Sequence, residues 1–139
     1  MTTQTLHVGP LAATLTFSGD RLAAVDLPLE VPEGLDSESL DEMCSRLSAY
    51  KCAEDAGGPF VQRVRQRMRS IPRGTVLTYG ELAVELENAR AFRAVGQACA
   101  TNRLLLVVPC HRVVGNSGLG GFRLGLDWKR KLLELEAHC

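Results

Sequence analysis

The chain changes character at AEDAGGP, residues 53–59, and this change limits its architecture more than any other feature. Residues 1–58 carry 3 basic and 10 acidic side chains, a balance of −7. Residues 59–139 carry 13 basic and 6 acidic ones, a balance of +7. A linker of small and turn-forming residues where the charge reverses divides the 139 residues into two small parts, each with a modest aliphatic core. Charge alone leaves two readings open: the halves attract each other, or the basic half meets a polyanion.

Local patterning gives each part its elements. In LHVGPLAATLTFSGDRLAAVDLPLE, loose alternation around SGD predicts a β-hairpin with strands near 4–17 and 22–28. Leu40, Met43, Leu47 and Tyr50 recur at helical spacing in SLDEMCSRLSAYK. Beyond the linker, Pro59 suits a first helical turn, and Phe60, Val64, Met68 and Ile71 line one face. Arg63, Arg65, Arg67 and Arg69 occupy the rest, either as a solvated face or as phosphate contacts. Thr78 and Glu81 stand at capping-box spacing, and Asn88 is a candidate cap for the next helix, ARAFRAVGQACAT. Two short helices around a tight turn suggest a helix-turn-helix, although helical hairpins also occur in proteins that never touch DNA. LLLVV (104–108) reads as a short strand or extended core segment, NSGLGGFRLGL as a glycine-rich loop, and Asp127 as a cap for a last helix bearing Trp128, Leu132 and Leu135. The expected fold class is α/β. A small N-terminal β-hairpin or sheet region with a helix (1–57) precedes a mostly helical C-terminal domain with the helix-turn-helix (58–139).

Several function classes fall away. Cysteines at 44, 52, 99, 110 and 139 form no CxxC pair, so neither a disulfide framework nor a zinc site is expected. The glycine-rich loop lacks GxxxxGK[ST], and no apolar run approaches the ~20 residues of a membrane span. The opening MTTQTLHVGP has no basic stretch followed by an apolar core. A cytoplasmic location is expected, or a nuclear one in a eukaryotic source.

The remaining chemistry centres on PCHRVVG, residues 109–115. A cysteine attacks as its thiolate and needs a lowered pKa or a nearby base. His111 is adjacent to Cys110, but neighbours in extended chain point to opposite faces; only a tight turn after Pro109 lets them converge, directly or through a water. Glu134 and Glu136 are candidate carboxylates to orient the imidazole. Without longer-range information, a buried cysteine beside a capping histidine is the simpler reading.

The order and intervals of several further motifs resemble those of the O6-alkylguanine-DNA alkyltransferases, the methylated-DNA–protein-cysteine methyltransferases. The resemblance runs from about Gly58 to Glu136 and takes in IPRG (71–74), TYGELA (78–83), RAVGQA (93–98), Asn102, PCHRVVG, GGFRLGL (120–126) and KRKLLELE (129–136). Residues 1–57 match only loosely, as a shortened form of that family's N-terminal domain.

The resemblance implies that Cys110 takes the alkyl group from O6 of guanine in double-stranded DNA, once per molecule. It implies His111 as base through a bound water, Glu136 as its orienter, and Tyr79 as hydrogen-bond donor to the guanine near the rotated nucleotide's phosphate. Arg93 would fill the space left by the flipped base, and Ala94, Gly96 and Ala98 would let the helix enter a minor groove ~6 Å wide. Asn102 would tie the helix-turn-helix to the active-site turn, and the backbone at Cys110 and Val113 would read the base edge. Arg123 and Leu124 would shape the pocket wall. No cofactor or metal is implied, and a monomer is expected, with cooperativity along DNA left open.

Departures from the family pattern are local. Arg103 stands where a proline is usual, which would loosen that turn, and Phe122 replaces a frequent tyrosine. Two other functions compete. A damage sensor would bind and flip the alkylated base without transfer, but such relatives usually carry tryptophan at the cysteine position. A Cys–His hydrolase would turn over repeatedly and ignore DNA, which leaves the Tyr79–Arg93 spacing unexplained.

Overall fold

The computed structural model describes residues 1–137; Cys139 lies outside the described residues. The first 26 residues form an antiparallel sheet of three strands in the order β1 (Thr2–Val8), β2 (Leu11–Ser18) and β3 (Arg21–Asp26). The single strand expected over 4–17 is therefore two strands. Val8 pairs with Leu11 across a two-residue loop in which Gly9 adopts φ +55. That left-handed conformation suits glycine, and Pro10 has no N–H to continue a ladder. Alternation hid the turn because both strands present their apolar positions to one core.

The exposed edge of β3 is covered by later chain. Leu22 N–H donates to Lys51 O, and Ala53 N–H donates to Leu22 O, both at 2.8 Å. Val25 N–H donates to Arg103 O at 2.8 Å. The start of the linker thus lies along the sheet. Helix α1 (Ser37–Leu47) is capped by Asp36, whose carboxylate accepts from Ser39 N–H at 2.8 Å. It buries Leu40, Met43 and Leu47; Tyr50 lies past its end and packs edge-on against Phe17.

Helix α2 (Pro59–Met68) begins on its proline and buries Val64 and Met68, with Ile71 just beyond. Short strand β4 (Leu77–Thr78) leads into α3 (Tyr79–Glu85) through the complete Thr78–Glu81 capping box. Helix α4 (Phe92–Ala100) packs on α3 as the second member of the helix-turn-helix. The junction differs from expectation: residues 89–91 form a 3-10 turn, and the Asn88 side chain makes no cap. Strand β5 (Val113–Val114) pairs in parallel with β4, and α5 (Leu126–Ala137) closes the chain. Asp127 is not its cap. It sits inside the first turn, exposed, and pairs with Arg130 at 3.3 Å. Residues 104–108 are no regular strand. Leu106 takes φ +71, and Val108 N–H returns to Leu104 O at 2.9 Å.

One core runs through both parts, from Leu11, Leu15 and Leu40 to Val64, Leu82, Trp128 and Leu132. Ion pairs join the parts as well: Asp55–Arg65 at 2.6 Å, Asp41–Arg73 at 2.9 Å and Asp26–Arg123 at 2.9 Å. The halves do attract each other, as one reading of the charge division held. The α2 arginines are neither wholly solvated nor all open to phosphates. Arg65 also bonds Ala98 O of α4 and the Thr101 hydroxyl just past its end, and Arg67 grips Glu85 of α3 at 2.8 Å. Among the described residues no helix is long and apolar enough to cross a membrane.

Candidate active site

Pro109 is followed by a single 3-10 turn, Cys110–Arg112, closed by Arg112 N–H to Pro109 O at 3.0 Å. The turn draws Cys110 and His111 inward together, each only 1% exposed. Asn102, buried at the end of α4, organises this turn. Its Nδ2 donates to Val108 O at 2.9 Å and to Cys110 Sγ at 3.2 Å, while its Oδ1 accepts from Leu104 N–H at 3.0 Å. These bonds hold the turn at Arg103 that a missing proline was expected to loosen. Burial pushes the Cys110 thiol up; the Asn102 amide and the Lys129 ammonium oppose that by favouring the thiolate.

His111 Nε2 lies 3.1 Å from Glu136 Oε1, a short contact angled away from ideal hydrogen-bond geometry. Its Nδ1 is buried with no hydrogen-bond partner among the described residues. Burial lowers the His111 pKa, more than the Glu136 carboxylate raises it, which favours the neutral ring that can accept a proton. Burial alone would raise the Glu136 pKa. The Arg112 and His111 side chains override it and hold the carboxyl at about 2. Arg112 binds both carboxylate oxygens, at 2.9 and 2.6 Å, and donates to Ile71 O at 2.7 Å. Such a two-pronged grip fixes the carboxylate plane, and hence the oxygen that faces His111. Glu134, the other candidate, is exposed and pairs with Lys131 at 3.7 Å.

Tyr79 opens α3 directly after β4, and β4 pairs with the segment that follows Cys110. The Tyr79 hydroxyl accepts from Gly121 N–H at 3.1 Å. Lys129 Nζ stands 5.8 Å from the ring centre and donates to Val113 O at 2.7 Å and Gly121 O at 3.0 Å. One buried ammonium therefore joins α5, β5 and the glycine-rich loop. Val113 N–H donates to Cys110 O, which leaves the carbonyl oxygens of these two residues as the backbone groups with a second lone pair to offer. Arg123 is engaged elsewhere. Its guanidinium reaches Asp26, at 2.9 Å, and Val25 O, at 3.3 Å, tying the loop to β3.

Gly120 has φ +75, and a Cβ there would collide with the Tyr79 hydroxyl. Gly120→Ala is expected to cost about 1–3 kcal/mol from the left-handed backbone alone and to displace Tyr79. Chemical denaturation would read the first effect and Tyr fluorescence the second.

On α4, Arg93 and Ala94 are exposed and Gly96 is half-buried against the Tyr79 ring, 3.5 Å from ring carbon to an added Cβ. A groove of about 680 Å³ opens on the far side of Asn102, lined by Asp55, Arg65, Arg69 and Val108; Cys110, His111 and Tyr79 do not line it.

Residues 59–138 match the family model described as 6-O-methylguanine DNA methyltransferase, DNA binding domain. The chain belongs to this family. A methylated-DNA–protein-cysteine methyltransferase of Methanopyrus kandleri is 52% identical over 75 residues, covering 54% of this chain and 56% of the relative. That of Salmonella typhimurium is 41% identical over 110 residues, covering 77% and 64%. The chain thus spans roughly three-fifths of the length of these relatives. The Mycobacterium tuberculosis protein OGT, solved in complex with DNA, superposes with a TM-score of 0.73 at 32% identity, covering 97% of this chain and 92% of that one.

Within this methyltransferase-family fold, Cys110, His111, Glu136, Asn102, Tyr79 and Val113 converge around the 3-10 turn and Lys129. Arg93 and Ala94 lie outside that cluster on the exposed side of α4, and Arg123 bonds the N-terminal sheet. Two residues of this site were missed by sequence reasoning. Arg112 gave no separate signal. Lys129 did: with Leu132 and Glu136 it follows i, i+3, i+7 spacing, an inward face that a basic run disguised.

Proposed function

We propose that this chain repairs DNA by accepting an alkyl group from O6-alkylguanine onto Cys110, once per molecule. The observation that carries the reading is a single turn that holds both a sulfur bonded by the Asn102 amide and a buried His111 backed by Glu136. Residues 58–139 act as the DNA-binding and transfer unit, and 1–57 as the unit that braces it.

The step is a displacement at the alkyl carbon. The Cys110 proton passes through one bridging water to His111, whose Nδ1 is the nitrogen not facing Glu136. The sulfur lone pair forms the S–C bond while the C–O6 bond breaks, leaving its electron pair on guanine. The Tyr79 hydroxyl donates a hydrogen bond to the guanine as that charge develops, and the proton held by His111 returns through water to the departing base, so guanine leaves neutral and His111 is neutral again. Glu136 stabilises the transient imidazolium. Asn102 and Lys129 stabilise the thiolate before attack.

The target atom is unreachable inside a duplex, so the nucleotide must rotate out. Arg93, exposed at the start of α4, fills the space, while Ala94 and Gly96 allow close approach to the minor groove. The carbon–sulfur bond of the thioether is not displaced by water or a thiol at neutral pH, so the alkylated Cys110 is not regenerated. The protein acts on double-stranded DNA as a monomer.

Incubation with excess O6-methylguanine duplex followed by intact-mass analysis is expected to show one added methyl, mapped to Cys110. Unmodified protein under saturating DNA would refute the transfer, and multiple turnovers would refute its stoichiometry.

A further inference from the structure

The first residue of α4 is a phenylalanine, and it is 43% exposed. The chain has four phenylalanines; Phe17, Phe60 and Phe122 pack against the core, and Phe92 does not. Single exposed apolar residues are ordinary on protein surfaces. The position of this one is not. Phe92 and Gly96 are four residues apart and share a helix face. A Cβ added at Gly96 would meet the Tyr79 ring at 3.5 Å, so Phe92 lies about one helical turn, ~5.4 Å along the axis, from the Tyr79 end of the site. The Arg93 guanidinium stands 5.9 Å over the Phe92 ring. An aromatic ring and a cation are thus held together at the leading end of the helix assigned to DNA.

We propose that Phe92 is a stacking wedge, inserted against the base step beside the rotated nucleotide while Arg93 occupies the vacated space. This rests on the duplex-DNA reading above and adds a residue to it. Proteins of the minor groove commonly unstack a step with an apolar side chain, and an aromatic face stacks on any base regardless of sequence. That tolerance suits a protein that must act wherever damage lies. The cation–π contact sets the ring and guanidinium as one unit, so that seating one seats the other.

The test uses the full chain with Phe92→Ala and Phe92→Trp. One duplex carries O6-methylguanine with 2-aminopurine as its neighbour; a single strand carries the same lesion. In the duplex, Phe92→Ala is expected to lose most of the 2-aminopurine brightening that reports unstacking. Its single-turnover rate on duplex should fall about tenfold relative to its rate on the single strand, and Phe92→Trp should recover both readings. Equal losses on the two substrates, or unchanged brightening, would overturn the wedge. If the wild-type chain transfers no methyl but Phe92→Ala still abolishes brightening, the transfer reading fails and the wedge stands.

Discussion

A Cys110→Ala protein is expected to bind O6-methylguanine duplex and to gain no mass, even after long incubation. The expectation follows from the packing around the sulfur. Cys110 is buried, and Asn102 Nδ2 bonds both Sγ and Val108 O. Removing the sulfur leaves that amide its carbonyl partner, so the turn keeps its main constraint and folding should lose only about 1 kcal/mol. The α4 residues proposed to face DNA, Arg93 and Ala94, are exposed and lie elsewhere. Binding should therefore survive where transfer does not, and a gel-shift assay beside intact mass would show the separation. The other buried thiol, Cys99, has its pKa pushed up to about 12, chiefly by burial. It is a poor substitute nucleophile at pH 7. A methyl on Cys99 in the variant would contradict the assignment.

Glu136→Gln should damage both stability and rate. The substitution removes the charge that Arg112 grips and His111 faces, all in a nearly water-free setting. Breaking one side of a buried ionic network costs about 3–5 kcal/mol. The imidazolium formed during transfer also loses its counter-charge, and the single-turnover rate should fall about 10²-fold or more. Acid gives a second, independent reading. The Glu136 pKa is about 2 when folded against an ordinary glutamate value of 4.5, so its contribution is fully present above about pH 4.5 and is lost as pH falls towards 2. Wild type and variant should thus differ most at neutral pH and converge near pH 2–3, as followed by urea denaturation at each pH. An unchanging gap would mean that Glu136 does not carry the stabilisation through its charge.

Much of the C-terminal architecture could be read from local pattern. Pro59 opens α2, the capping box opens α3, and the Trp128–Leu132–Leu135 stripe is buried, because each follows from interactions within a turn or two of helix. The same logic failed where tertiary partners decide. Asn88 stands at the N-cap position of the 3-10 turn but its side chain makes no capping bond, and Asp127 has the right chemistry for a cap but lies inside the helix. The β1–β2 turn was masked by alternation that continues across it. At the site, the family resemblance identified residues far apart in sequence, such as Tyr79 and Glu136, that composition could not connect. Lys129 looked like a solvated charge because its two carbonyl partners, at Val113 and Gly121, come from other segments.

The bracing of the transfer unit has a bearing on how such a chain can diverge. Trp128 Nε1 donates to Pro28 O at 2.7 Å, Arg123 reaches Val25 O, and Val25 N–H meets Arg103 O. The first half contributes backbone atoms to these contacts, while its side chains join the second half at Asp26, Asp41 and Asp55 and through the shared core at Leu11, Leu15 and Leu40. Backbone amides and carbonyls are nearly indifferent to which side chain they bear. Mutations can therefore accumulate at the exposed positions of residues 1–57, provided the sheet keeps its path and the core leucines and the three paired aspartates stay. A segment with almost no legible motif can still be mechanically necessary, and deletion should reveal its importance far more readily than point substitution.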